Sequence, residues 1–207
     1  MKINFNAWLV AILSVLSFVA CAKTAGTDTA DSKKLYIDVH RLTPGSVTME
    51  DVAAAHAKDL AVEKKYGVDF KRYWVDEDQG LVYCLSSAHD TASIRNTHQA
   101  AHGLLPAATY EVTDGTEAVR LGNKNLFMDV HQLGAGNVTA AAVADAHKKD
   151  LAVQGQFGVN FINYWVDEKA GVVVCLSEAN DAQSVIHTHQ KAHGLLPSEV
   201  SKVKQGQ

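Results

Sequence analysis

Thr97 to Pro106 reads THQAAHGLLP, and Thr188 to Pro197 reads THQKAHGLLP. The two strings lie 91 residues apart. The same offset carries Asp38, Val39 and His40 onto Asp129, Val130 and His131, and the YWVDE of Tyr73 to Glu77 onto Tyr164 to Glu168, without a gap. About six positions in ten are identical between residues 35–106 and their partners, far above chance, so most of the chain is one unit written twice.

Working outward from that string, Asp90 is placed to cap a helix that stops at Gly103, with Pro106 beyond it. Ala108 to Thr113 supplies a strand after it. Upstream, Leu35 to Leu42 alternates as a half-buried strand. Thr48 caps a helix ending at Gly67, with Asp51 in the capping-box position. Phe70 to Glu77 and Leu81 to Ser86 form a hairpin around Asp78, Gln79 and Gly80. The order strand, helix, strand, strand, helix, strand predicts an α+β fold of two tandem ferredoxin-like βαββαβ sandwiches. They span residues 35–112 and 126–203, with a polar linker at 113–125. Each copy is small for an isolated core, and neither face of its third strand is plainly polar, so the copies are expected to pack on one another as a monomeric pseudo-dimer.

The chain has 207 residues, 47% apolar and 20% charged, which excludes disorder as its main state. With 19 basic against 23 acidic side chains it has no positive excess for gripping phosphate backbones, so nucleic acid is not an expected partner. Ala7 to Val19 is almost wholly apolar, follows Lys2 and leads to Ala20 and Cys21, the layout of an export signal. The segment LSFVAC, Leu16 to Cys21, resembles a bacterial lipoprotein processing site, with Phe18 where leucine is usual. The expectation is a signal peptide over 1–20, lipidation of Cys21, a tether over 21–34, and attachment to the membrane of the cell envelope, facing the periplasm or exterior. An ordinary cleaved signal and a retained anchor are the alternatives.

Eight of the ten histidines form matched pairs: His40 with His131, His56 with His147, His98 with His189, and His102 with His193. His98 and His102 are four apart on a helix, so both rings leave one face at a spacing that lets two imidazoles share a metal. Taken alone, such a pair is more often a complement to the helix dipole. Topology adds to it, because the second helix runs parallel to the first strand and ends where His40 sits. His56, on the first helix, points the same way if its face is right. Nitrogen-rich sets of this kind suit nickel, zinc or copper. By strand parity His40 lies with Tyr36 and Asp38 on the face away from Leu35, Ile37 and Val39, which leaves open a site shared between copies. Asp59 and Asp150, with Asp38 and Asp129, are the candidate carboxylates for orienting these rings. The alternative for Asp59 is a solvent-facing partner of Lys58 or Lys64.

Asp38-Val39-His40, Ala55-His56, Asp59-Leu60-Ala61-Val62, Tyr73-Trp74 with Asp76-Glu77, and His98 with Ala101-His102-Gly103-Leu104 together resemble the nickel-binding, ferredoxin-like bacterial family first catalogued as a domain of unknown function. The resemblance covers both copies nearly end to end. It implies binding of a divalent metal, nickel among the ions, with no established reaction, and single-domain members that pair as homodimers.

Other constellations are weaker. Cys84 and Cys175 read first as small buried hydrophobes, then as an inter-copy disulfide or soft metal ligands. Trp74, Trp165, Tyr73 and Tyr164 read as core and interface aromatics, and the acidic pairs at 76–77 and 167–168 as turn residues. His187 falls on another side of its helix from His189 and reads as surface. No serine triad, phosphate loop or dinucleotide fingerprint is present. Metal sequestration, delivery or sensing is therefore the leading expectation, and an enzyme is not. The alternatives are a barrel-like monooxygenase or haem-handling enzyme using the same histidines, and a structural envelope protein.

Overall fold

The computed structural model describes residues 32–115 and 117–207. The export segment, Cys21 and the first part of the tether lie outside the described residues. The first repeat contains β1 (Lys34–Arg41), α1 (Met49–Val62), β2 (Asp69–Asp76), β3 (Leu81–Ala88), α2 (Thr91–Ala101) and β4 (Ala108–Asp114). The second contains β5 (Asn125–Gln132), α3 (Ala140–Val153), β6 (Asn160–Asp167), β7 (Val172–Ala179), α4 (Ala182–Ala192) and β8 (Glu199–Gly206). Each is a βαββαβ unit, in the order its turn and cap residues predict.

The helix starts are chemically explicit. Thr48 accepts a hydrogen bond from Asp51 N while the Asp51 carboxylate accepts one from Thr48 N, closing a capping box on α1. Thr139 caps α3 the same way, but Ala142 stands where Asp51 does, so the reciprocal half is missing. Asp90 and Asp181 cap α2 and α4 through the amides of Ser93 and Ser184. Glu77 and Glu168 reach from the hairpins to the first amides of α1 and α3, so these turn carboxylates also serve the helix N-termini.

The strands of each repeat form an antiparallel sheet with β1 and β3 central, and β5 and β7 in the copy. Neither sheet keeps a free edge. β2 pairs with β8 and β4 with β6, closing one eight-stranded barrel in the order β1-β3-β2-β8-β5-β7-β6-β4. Closure removes the unpaired strand edges that would otherwise invite association with other chains.

The barrel interior is the principal core, built from Ile37, Val39, Trp74 and Tyr83 of one repeat and Met128, Trp165 and Val174 of the other. The two tryptophan rings meet there at 5.4 Å between centroids. This settles which face is which in β1. Leu35, Ile37 and Val39 face the other repeat, and Asp38 and His40 face the helices of their own, so the sharing of His40 between copies left open by strand parity does not occur. The reason is burial: both tryptophans and most of the aliphatic strand residues fill the barrel centre, and the helix layer, rich in alanine, accommodates the polar face. Smaller clusters such as Val47, Val52, Tyr73 and Val82 fill the space between sheet and helices.

Candidate metal centre

The site of each repeat lies between sheet and helix layer. α2 ends with the amides of His102 and Gly103 both bonded to His98 O, and Gly103 takes φ of +79°, which lets the chain leave the helix beneath the ring of His102. In β2 a bulge between Phe70 and Arg72 brings Phe70 and Tyr73, three residues apart, to the same helix-facing side, where both rings wall the site. Cys84 sits directly across from Asp38 in the β1–β3 register, and Cys175 across from Asp129.

Two sets of donor atoms result in each repeat; in the second His189 belongs to both, and in the first His98 belongs to the outer set and approaches the inner one at Asp38. Its Nδ1 lies 3.0 Å from Asp59 Oδ1, and His102 Nε2 lies 3.2 Å from Asp59 Oδ2. Its Nε2 points the other way, 3.4 Å from Asp38 Oδ1, an oxygen that is also 3.1 Å from His40 Nε2. The copy repeats this arrangement: His189 Nδ1 is 3.1 Å from Asp150, and Asp129 Oδ1 is 3.3 Å from His189 Nε2 and 3.2 Å from His131 Nε2. The donor atoms of Asp129, His131, Cys175 and His189 all lie within 4.8 Å of one another, as do those of Asp38, His40 and Cys84, and those of Asp59, His98 and His102.

The inner set has an uncommon property. Both oxygens of Asp38 and Nε2 of His98 are buried without a hydrogen-bond partner, and so are their counterparts on Asp129 and His189. The nitrogens approach Asp38 closely, but without the alignment of a hydrogen bond. Buried polar atoms left in this state are costly, and a bound cation would satisfy a cluster of them converging on one point. Two imidazole nitrogens, a carboxylate and a thiol form a donor set suited to nickel, zinc or copper.

Charge follows the same lines. Burial alone would raise the Asp38 carboxyl, but the imidazoles of His40 and His98 outweigh it and hold it below the ordinary range; Asp129 falls to about 2 on the same balance. Burial lowers the basicity of His98, yet the carboxylates of Asp38 and Asp59 win and raise it to about 9, and their counterparts raise His189 to about 10. Burial, then the nearby Asp38, pushes the Cys84 thiol well above its usual value.

The residues singled out in the sequence are therefore not equivalent. His40, His98, His102, Asp38 and Asp59 come together, with His131, His189, His193, Asp129 and Asp150 in the copy. Asp59 is buried against the two helical histidines and is no partner of Lys58 or Lys64. His56 and His147 line the same space but join neither donor set; His56 lies against Tyr73 at 4.8 Å, and burial lowers its basicity. Cys84 and Cys175 are free, buried thiols beside the carboxylates rather than a disulfide. Their place beside the carboxylates is set by cross-strand register, which periodicity does not report. His187 is exposed and bonds Gln183.

Residues 36–112 and 127–203 each match the family model described as nickel responsive protein SCO4226-like. The chain belongs to that family. Its two SCO4226-like repeats carry the His/Asp clusters described above, which together with the family point to metal binding. Among solved structures, SCO4226 from Streptomyces coelicolor A3(2) is 35% identical over 37% of this chain and 93% of its own, with a TM-score of 0.35. A putative monooxygenase from Lactobacillus acidophilus NCFM is 10% identical over 84% of this chain and 94% of its own, with a TM-score of 0.41. Chlorite dismutase from Candidatus Nitrospira defluvii, in complex with imidazole, is 6% identical over 84% of this chain and 90% of its own, at 0.48. No curated protein matches the chain.

Proposed function

We propose that each repeat binds one divalent transition-metal ion, nickel first with zinc and copper as competitors, and that the protein sequesters, delivers or senses that ion at the cell envelope. The observation that carries this reading is the group of buried donor atoms on Asp38 and His98 that make no hydrogen bond, repeated on Asp129 and His189.

The hydrogen bonds also support one division of labour. Leu104 N donates to Nδ1 of His102 at 3.1 Å, so the ring proton of neutral His102 is on Nε2, where it faces Asp59. A ring held this way donates to a carboxylate and has no lone pair left on Nε2 for a metal. Asp59 in turn accepts from His98 Nδ1, which leaves His98 Nε2 as the ligand atom, oriented by a carboxylate as metal-binding histidines commonly are. In this reading His40, His98, Asp38 and Cys84 hold the ion, and Asp59 and His102 fix the ring of His98. His131, His189, Asp129 and Cys175 do the same in the copy, with Asp150 and His193 behind them. The bound cation supplies positive charge to the buried carboxylate and lowers the proton affinity of the thiol.

Calorimetric titration with Ni²⁺, Zn²⁺ and Cu²⁺ tests this. Two ions per chain are expected, and none after His98→Ala and His189→Ala are combined; unchanged uptake by that variant would refute the site. The envelope assignment rests on the apolar run from Ala7 to Val19 and on Cys21. Fractionation should place the protein with membranes and release it after Cys21→Ala.

A further inference from the structure

The two donor sets are near copies, but the spaces above them are not. The cavity over the first set measures about 90 Å³, and the one over the second about 340 Å³. Both have a floor of imidazole and carboxylate and largely apolar walls, with Asn137 added to the lining of the second. Val47, Val52, Val82 and Leu104 wall the first; Val138, Val143, Val173 and Leu195 occupy the matching places in the second. The lining changes in charge at one position, where Asp51 in the first repeat gives way to Ala142 in the second.

Size and wall chemistry decide what each space can take. An apolar cavity of about 150 Å³ suffices for a benzene ring. The first cavity is smaller than that, and Asp51 is among its lining residues. The second is more than twice that size and has a methyl group at the same point. Water needs two to four polar partners to be held in place, and valine walls provide none. An ion on the floor of the larger cavity therefore has valine-walled space beside it that an apolar body fills well.

We propose that the second repeat binds its metal ion together with a small co-ligand, a lone-pair donor head on an apolar body of one or two rings, and that the first repeat binds its ion without one. The head meets the ion beside His131 and His189, and the body lies against Val138, Val143 and Val173. This rests on the metal-binding reading above and adds that the two sites are chemically distinct.

The test uses the full chain loaded with Ni²⁺ and 4-phenylimidazole as probe, read by calorimetry and by the ligand-field absorption of the nickel. Nickel uptake is measured first without probe; its absence would overturn the metal reading, and this inference with it, whereas nickel uptake with no probe binding would overturn this inference alone. One equivalent of probe per chain is expected, with a shifted nickel band and at least tenfold weaker binding to the metal-free chain. Ala142→Asp restores the residue of the first repeat and completes a capping box with Thr139, so the variant is expected to fold. It should take up two nickel ions and bind the probe at least tenfold more weakly. Val143→Phe, which fills the cavity, should do the same. Two equivalents of probe per chain, or undiminished probe binding in both variants, would overturn the proposal.

Discussion

Nδ1 of His98 lies 3.0 Å from Oδ1 of Asp59 across 39 residues of chain, and the copy reproduces the contact between His189 and Asp150 at 3.1 Å. α1 and α2 are thereby joined at the point where the imidazole must be aimed. The carboxylate is buried and spends its second oxygen on His102, so it has no other task in the fold.

Replacing that carboxylate should loosen the site without dismantling it. Asp59→Asn together with Asp150→Asn should weaken nickel binding about 10- to 100-fold, the usual effect of removing a group that orients a ligating histidine. Calorimetry on the double variant, with circular dichroism as a check on folding, measures this.

The proton balance gives a second expectation. The basicity of His98 and His189 is raised in the fold to about 9 and about 10 from 6.5, so their contribution to metal-free stability is complete below pH 6.5 and disappears as pH rises through 9 to 10. Asp129 is lowered to about 2 from 3.8, so its contribution is present above 3.8 and disappears as pH falls through 2. Thermal unfolding of the chelated protein should therefore peak between about pH 4 and 6.5. Metal at Nε2 must displace the proton there, so nickel uptake at pH 7 should release protons and tighten toward pH 9. Titrations in two buffers of different ionisation enthalpy report that release.

The barrel centre is shared, and its loss should be felt by both repeats at once. Trp74→Ala removes a fully buried ring in contact with Trp165 and should cost about 3–5 kcal/mol. Urea unfolding of the parent chain should show one transition covering both repeats, and the variant should shift its midpoint without splitting it.

The hairpin glycines are a sharper local test. Gly171 has φ of +70°, and a Cβ there would collide with the carbonyl of Gly134; at Gly80, with φ of +67°, it would approach the carbonyls of Leu42 and Thr43 at 2.7 Å. Alanine at either position should destabilise the fold by more than about 1 kcal/mol. The loss should be larger at 171, read as a fall in melting temperature.

Much of this architecture was legible in one dimension. The offset between the two THQ strings, the caps at Thr48 and Asp90 and the turn at Gly80 define each repeat because they act over a few residues. What the sequence did not show was the direction of β1. Alternation separates Ile37 and Val39 from Asp38 and His40 but carries no sign, and the sign depended on a barrel whose closing strands, β8 on β2 and β6 on β4, come from the other repeat. The closeness of Cys84 to Asp38 is hidden for a related reason, since a strand register sets it. His56 lines the same space, and its matched position in the copy is equally explained by packing on Tyr73.

Because both seams of the barrel join strands of a single polypeptide, dilution cannot part the two halves. A pair held together by association alone falls apart when its concentration drops below the dissociation constant. Here the partner is always present at one to one, so each half can drift in sequence while its counterpart keeps the shared wall intact, as Asp51 and Ala142 already illustrate.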